Sequence, residues 1–324
     1  MYSTKSIGDV VRNLVGVLGF RPVESLVVAA VQGGCVSCVL RVDLSDVAAS
    51  NALERLASLV GRSGADGALA VFVSTLSSSC EMCAERFAGM AARLGEALEA
   101  AGVRLLDAVM LDRVEAGGRW QCVDGCGKSG VLDDPASSAA AAAAVVAGRR
   151  MYETRDELRA IVAVDVQRAA AVAPMLAGAD CAGGAVDDVP VSVRQAVAAV
   201  RRVGQGAVLS NAELADIGAS LGDVRVRDAL FTLVDSHEAS AAEMLWSQLA
   251  RVLPQPYRSE ALCLVGFSAF SRGEGPLAGV ALEAALADDP AHRMAGLLDC
   301  ALQNGVRPEE IRNLIQHHVS ALVI

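Results

Sequence analysis

Strand-like patterning stops at residue 134. Up to that point, short runs rich in valine, leucine and alanine alternate with helical stretches and glycine turns. Beyond it only helical periodicity and helix stops recur. A chain divided in this way cannot be one continuous sheet or one bundle. Its 324 residues suit two domains. The expected fold is an α/β amino-terminal domain with a mixed, partly parallel sheet, followed by an all-α helical array. The expected layout is 1–135 for the α/β domain, 136–177 for connecting helices, 178–190 for a flexible loop and 191–324 for the helical domain.

Residues 7–18 read as a helix, with Ile7, Val10, Val11 and Leu14 on one face. Gly19 stands where a helix stops, and Pro22 fixes the turn that follows. Residues 25–31 form a continuous apolar run, as a strand covered on both faces requires. Gly33-Gly34 suits a hairpin, and residues 36–44 return as the partner strand. Strand alternation then puts Val39, Arg41 and Asp43 on one face, with the two charges together at the strand's end. A single helix over 46–60, a strand over 68–73, a long helix over 81–101 and a strand over 103–111 complete the pattern. The strand–helix–strand order implies a right-handed crossover. Arg119-Trp120 opens a short strand or a loop rich in glycine and cysteine.

In the second half, Thr154-Arg155-Asp156-Glu157 and Ser210-Asn211-Ala212-Glu213 have the form of capping boxes. Helices are expected over 191–203, 211–221, 224–236, 239–253, 259–271, 276–287, 290–303 and 308–322. Leu262, Val265, Gly266, Ala278, Leu282, Ala285 and Pro290 take the spacing of a tetratricopeptide unit, with small residues where two helices meet. Ala269 replaces the usual tyrosine, and the next helix does not continue the pattern. One such unit implies a helical hairpin in a solenoid-like array.

Composition narrows the function classes. A net charge of −10 with pI near 5.0 argues against nucleic-acid binding, which rests on lysine and arginine. Asp9 and Arg12 interrupt any secretory core, and the alanine-rich run 136–148 is shorter than the ~20 residues a membrane helix needs. A cytoplasmic protein without a membrane partner is expected. Nine cysteines, an odd number, make reduced thiols the default. Cys80-Glu81-Met82-Cys83 opens a helix after a strand, the context of a redox dithiol, but lacks the tryptophan, glycine and proline that usually surround one. Cys122 and Cys126 in their glycine-rich loop, joined by Cys80 and Cys83, are the candidate metal ligands. Core packing is the preferred reading of Cys83, which falls on its helix's apolar stripe, and neither metal nor cofactor is expected. Gly125-Cys126-Gly127-Lys128-Ser129-Gly130 shares the end of a phosphate-binding loop, but no helix follows at once. His317-His318 suits the negative end of a helix.

Several motifs resemble an actinobacterial family catalogued as domain of unknown function 4192. They are residues 18–28 with 40–44, Gly118-Arg119-Trp120 with a later cysteine and Gly130, and residues 139–149. Residues 154–158, residues 224–230, and residues 273–278 with Asp289-Pro290 complete the set. Cys126-Gly127-Lys128 stands where members often show paired cysteines and a proline. The resemblance spans nearly the whole chain and brings no catalytic residues with it. Of two readings, the first is the expected function and the second the alternative. The first is a binding or scaffold protein, whose helical array docks an unidentified protein partner or a second copy. The second is a small-ligand or enzymatic site for an anionic ligand at the sheet's edge, built from Arg21, Glu24, Ser25, Arg41, Asp43, Arg119 and Trp120.

Overall fold

The computed structural model describes residues 2–3, 7–49, 51–76, 81–146, 149–177 and 186–313. The chain divides into two compact units, Met1–Arg155 and Asp156–Ile324. Among the described residues, no helix is long and apolar enough to cross a membrane.

The first unit is built on a seven-stranded mixed sheet: β1 (Tyr2–Ser3), β2 (Ser25–Gln32), β3 (Cys35–Asp43), β4 (Gly67–Val73), β5 (Arg104–Leu111), β6 (Arg119–Cys122) and β7 (Ser129–Val131). Its order is β1-β3-β2-β4-β5-β6-β7. Among the described strands only β4 and β5 run parallel, joined by the crossover helix α4 (Glu81–Ala100). The hairpin between β2 and β3 turns on Gly33 and Gly34, at φ +56° and +77°. Both β2 and β4 are buried along almost their whole length, which explains their unbroken apolar runs.

Helices cover both faces of the sheet. On one face Val10 of α1 (Ile7–Leu18) packs on Ala29, Val31 and Leu69. On the other, α2 (Leu44–Ala49), α3 (Ala52–Arg62) and α4 enclose Leu26, Val28, Ala70 and Phe72, with Phe72 stacked on Phe87 at 5.2 Å. The single helix expected over 46–60 is thus two helices. Asn51, at ψ +32°, leaves helical geometry ahead of the second. The alanine run forms α5 (Ala139–Val146), which lies against α1 where Gly16 lets the two backbones approach. The buried Asn13 side chain accepts a hydrogen bond from Ala140 N at 2.9 Å and so caps α5.

The second unit is helical throughout its described residues. The first elements are α6 (Arg155–Ala160, beginning at the division), α7 (Val166–Leu176), α8 (Val189–Gly204), α9 (Asn211–Leu221) and α10 (Val224–Leu230). They are followed by α11 (Ala239–Val252), α12 (Tyr257–Ser271), α13 (Gly275–Asp288) and α14 (Arg293–Gln303). Helix α12 is buried on nearly every side and meets α9, α10, α11, α13 and α14. The expected hairpin is α12–α13: a Cβ on Gly266 would stand 2.8 Å from the Leu282 side chain, so glycine sets the approach of the two helices. Ser210 and Glu213 form the reciprocal capping box at the start of α9. The helix expected over 224–236 instead tightens into a 3-10 turn at Phe231–Asp235, which brings Phe231 edge-on to Phe267 at 4.6 Å. Among the buried charged groups of this unit is one that joins α10, α12 and the start of α14. Glu260 accepts from Arg227 at 2.8 Å and stands 3.1 Å from His292 Nε2. The expected loop 178–190 has residues 178–185 outside the described residues, as are Cys80, His317, His318 and all of the 308–322 helix beyond residue 313.

Candidate functional site at the strand ends

The sheet's topology gathers one end. Ser25 opens β2 opposite Asp43, the last residue of β3, and opposite Val73, the last of β4. Val73 in turn pairs with Leu111, the last of β5. The carboxyl ends of β3, β4 and β5 therefore meet at the start of β2. Open α/β sheets bind ligands outside such ends, where no further strand covers the edge.

Glu24 leads the chain into this corner at φ +42°, in the left-handed region that a non-glycine residue rarely occupies. Its surroundings hold it there. Its carbonyl accepts from Leu44 N at 2.9 Å. Its carboxylate accepts from Ser74 Oγ at 3.0 Å, Thr75 N at 3.0 Å and Thr75 Oγ1 at 3.2 Å. Glu24 thereby ties the start of β2 to the loop leaving β4. The fully buried Ser25 donates to the Val23 carbonyl at 2.6 Å and accepts from Arg41 Nε at 2.9 Å. Arg41 lies on the α1 face of β3. It reaches over the Phe20 ring at 5.9 Å and forks onto both oxygens of Asp43, at 3.0 and 2.5 Å. Arg155 approaches the same carboxylate at 3.5 Å. Arg21 pairs with Glu153 at 2.7 Å and stands 3.9 Å from Glu115.

Arg119 and Trp120 share this end of the sheet through their backbone alone. Arg119 N donates to Asp112 Oδ1 at 2.7 Å, just beyond β5. Their side chains line a separate shallow cavity of about 330 Å³ with Met110, Gln121, Ser129, Gly130 and Val131. There the Trp120 ring lies across Gly130, where a Cβ would be 2.8 Å from its Nε1. Four of the seven expected residues, Glu24, Ser25, Arg41 and Asp43, thus sit together at the corner. Arg21 stands with Glu115 and Glu153, and the other two side chains face elsewhere.

The cysteine-rich loop links β6 to β7 at the opposite end of β6. The Cys122 thiol donates to Asp107 Oδ1 at 3.3 Å, and Lys128 Nζ stands 3.8 Å from the same carboxylate. Asp124 Oδ1 accepts from Cys126 N at 2.9 Å. Burial, reinforced by hydrogen bonding with Cys126 and Asp107, pushes the Cys122 thiol up to about 12. Hydrogen bonds from Cys126 hold the Asp124 carboxyl below its usual range. Cys83 packs half-buried against the core of the sheet's other face.

Ser74, Thr75, Asp112 and Arg155 belong to the strand-end group but were absent from the sequence expectation. The first three had a usable signal, being the first polar residues after runs read as strands. Arg155 had none, because its motif already had a sufficient explanation as a helix start. A family model described as Domain of unknown function (DUF4192) matches residues 8–309, so the chain belongs to that family nearly along its full length. No curated protein and no solved structure matches the chain.

Proposed function

We propose that this DUF4192 member is a binding protein whose α/β unit holds a small anionic ligand at the strand-end corner. The observation that supports the reading is the meeting of two guanidinium groups, Arg41 and Arg155, on one carboxylate, Asp43. An arginine fork receives a ligand carboxylate or phosphate in the same planar geometry. Asp43 keeps 36% of its side chain exposed, so an incoming anion can take its place. The hydroxyls favour binding over catalysis. Ser25 gives its proton to a carbonyl and its lone pair to Arg41, while Ser74 is buried and bound to Glu24. Neither is an activated nucleophile open to a substrate.

The test is a titration of wild type, Asp43→Asn and Arg155→Ala with inorganic phosphate, succinate and adenosine monophosphate, followed by calorimetry and thermal unfolding. Asp43→Asn removes the competing anion and should tighten binding, whereas Arg155→Ala should weaken it. No saturable response to any of the three probes in Asp43→Asn ends this reading.

A second reading gives the helical unit a protein partner or a second copy. Its support is a pair of exposed valines, Val166 and Val208, at 74% and 84% exposure. They flank a link in which Arg168 donates to the Leu209 carbonyl at 2.7 Å and to Asn211 Oδ1 at 3.0 Å. Light scattering at monomer mass, with nothing specifically retained from host lysate, counts against it.

A further inference from the structure

We infer that the loop between β6 and β7 is a binding site for a thiophilic divalent cation of the zinc class, with Cys122, Asp124 and Cys126 as ligands. The inference is independent of the corner, which lies at the other end of β6. One ligand atom from each of the three residues lies within 4.8 Å of the other two. A tetrahedral zinc ion with bonds of about 2.0–2.3 Å separates its ligand atoms by about 3.3–3.8 Å. Side-chain rotation within the loop therefore closes the site without moving the strands.

The donor set selects the metal. Two thiolates favour zinc and its soft neighbours, while calcium and magnesium demand oxygen. The carboxylate adds a third anion, and the fourth position is left to solvent. In the metal-free loop Asp107 Oδ1 accepts from the Cys122 thiol at 3.3 Å and from Ala108 N at 2.9 Å, and the first bond is given up when the thiol ionises. Lys128, 3.8 Å from Asp107, offsets that carboxylate's charge, so three ligand anions face one dication. Binding releases the two thiol protons to solvent, and metal affinity rises with pH accordingly. The loop is anchored for this role. Cys122 N donates to the Lys128 carbonyl at 2.9 Å, and Val123 N to the Ala108 carbonyl at 3.0 Å. Between these anchors Gly125 and Gly127, at φ +73° and +81°, make the bends that bring Cys126 back.

The test uses the reduced full-length chain. It is loaded with zinc, dialysed and assayed for metal by mass spectrometry, and in parallel loaded with cobalt(II) for absorption spectroscopy. One zinc per chain is expected, and the cobalt form should show near-ultraviolet thiolate charge transfer and tetrahedral visible bands. Cys126→Ser and Asp124→Asn each change an exposed side chain, so circular dichroism should stay unchanged while the metal is lost. Cys300→Ser, an exposed thiol of the other unit, should keep it. A reduced wild-type chain that retains no zinc overturns the proposal. So does a Cys126→Ser chain that retains it, or a cobalt form without thiolate charge transfer.

Discussion

Helices α1 and α5 meet where Gly16 faces the backbone of Ala140 and Ala141. A methyl group on Gly16 would stand 2.4 Å from Ala140 C and from Ala141 N, and 2.7 Å from Ala140 Cβ. Helix propensity alone says that Gly16→Ala stabilises, by about 1 kcal/mol in a helix interior. Packing says the reverse. Overpacking costs about 1–3 kcal/mol, and backbone atoms cannot rotate aside as a side chain can. Moving α5 away also stretches the buried bond from Ala140 N to Asn13 Oδ1, worth about 1 kcal/mol. These contributions leave Gly16→Ala net destabilising by about 1–3 kcal/mol. Gly89 of α4 is the control, since a Cβ there meets nothing within 4 Å. Gly89→Ala should therefore show the bare propensity gain, up to about 1 kcal/mol. Amide hydrogen exchange on β2 and β4 reads the stability of this unit alone, with tenfold faster exchange for each ~1.4 kcal/mol lost. Protection in Gly16→Ala equal to or above wild type would refute the claim that close backbone approach joins α1 to α5.

Glu260→Ala should destabilise the helical unit by about 1.5–3 kcal/mol, because it removes one of the two carboxylates on the buried Arg227 guanidinium and leaves Asp228, at 2.7 Å, as the other. Urea unfolding read at Trp246, with β2 and β4 exchange unchanged, checks this. Asp223 caps α10, and hydrogen bonds from Arg225 hold its carboxyl down to about 2, from an ordinary value of 3.8. A depressed folded value adds stability that is present above the unfolded value and disappears as pH falls through the folded one. The unit should therefore lose stability between about pH 4 and about pH 2, and Asp223→Asn should reduce that loss, leaving the share of Glu213, which hydrogen bonds from Arg202 and Ser210 also hold down to about 2. Gly130→Ala forces the Trp120 ring off its seat, at a cost of about 1–3 kcal/mol, and should shift Trp120 emission while leaving Trp246 unchanged.

The parts of the fold that were legible in the sequence are those whose cause is local. The Ile7–Leu18 helix, its Gly19 stop at φ +76°, the Gly33–Gly34 hairpin and the Ser210–Glu213 box each follow from a few neighbouring residues. Gly266 was legible because a helical hairpin repeats a spacing, and the structure sets it against Leu282. What escaped depends on distant partners. Nothing near residue 231 says that the helix must tighten there, because the reason is Phe267. Likewise β7 is a three-residue strand of Ser129–Val131 whose existence rests on pairing with β6. Such a strand has too few side chains to show alternation.

The corner illustrates the same division within a site. Arg41 and Asp43 were legible as a pair because strand alternation fixes their common face, and Glu24 and Ser25 because the proline turn delivers them to the strand's start. Their joining to Ser74 and Thr75 was not, because Glu24 reaches across about 50 residues of sequence to a loop placed by a different strand. That bond explains a conformation that nothing near Glu24 in the sequence requires. A left-handed residue other than glycine costs about 1–3 kcal/mol, and three side-chain hydrogen bonds to the β4 loop hold it. Glycine at this position would relieve the backbone and release the loop together. Glutamate there trades local comfort for a fixed edge beside Arg41 and Asp43. A corner that served only to turn the chain would be met by glycine, as at Gly19 five residues earlier. Holding the β4 loop against the start of β2 is the additional task that glutamate performs.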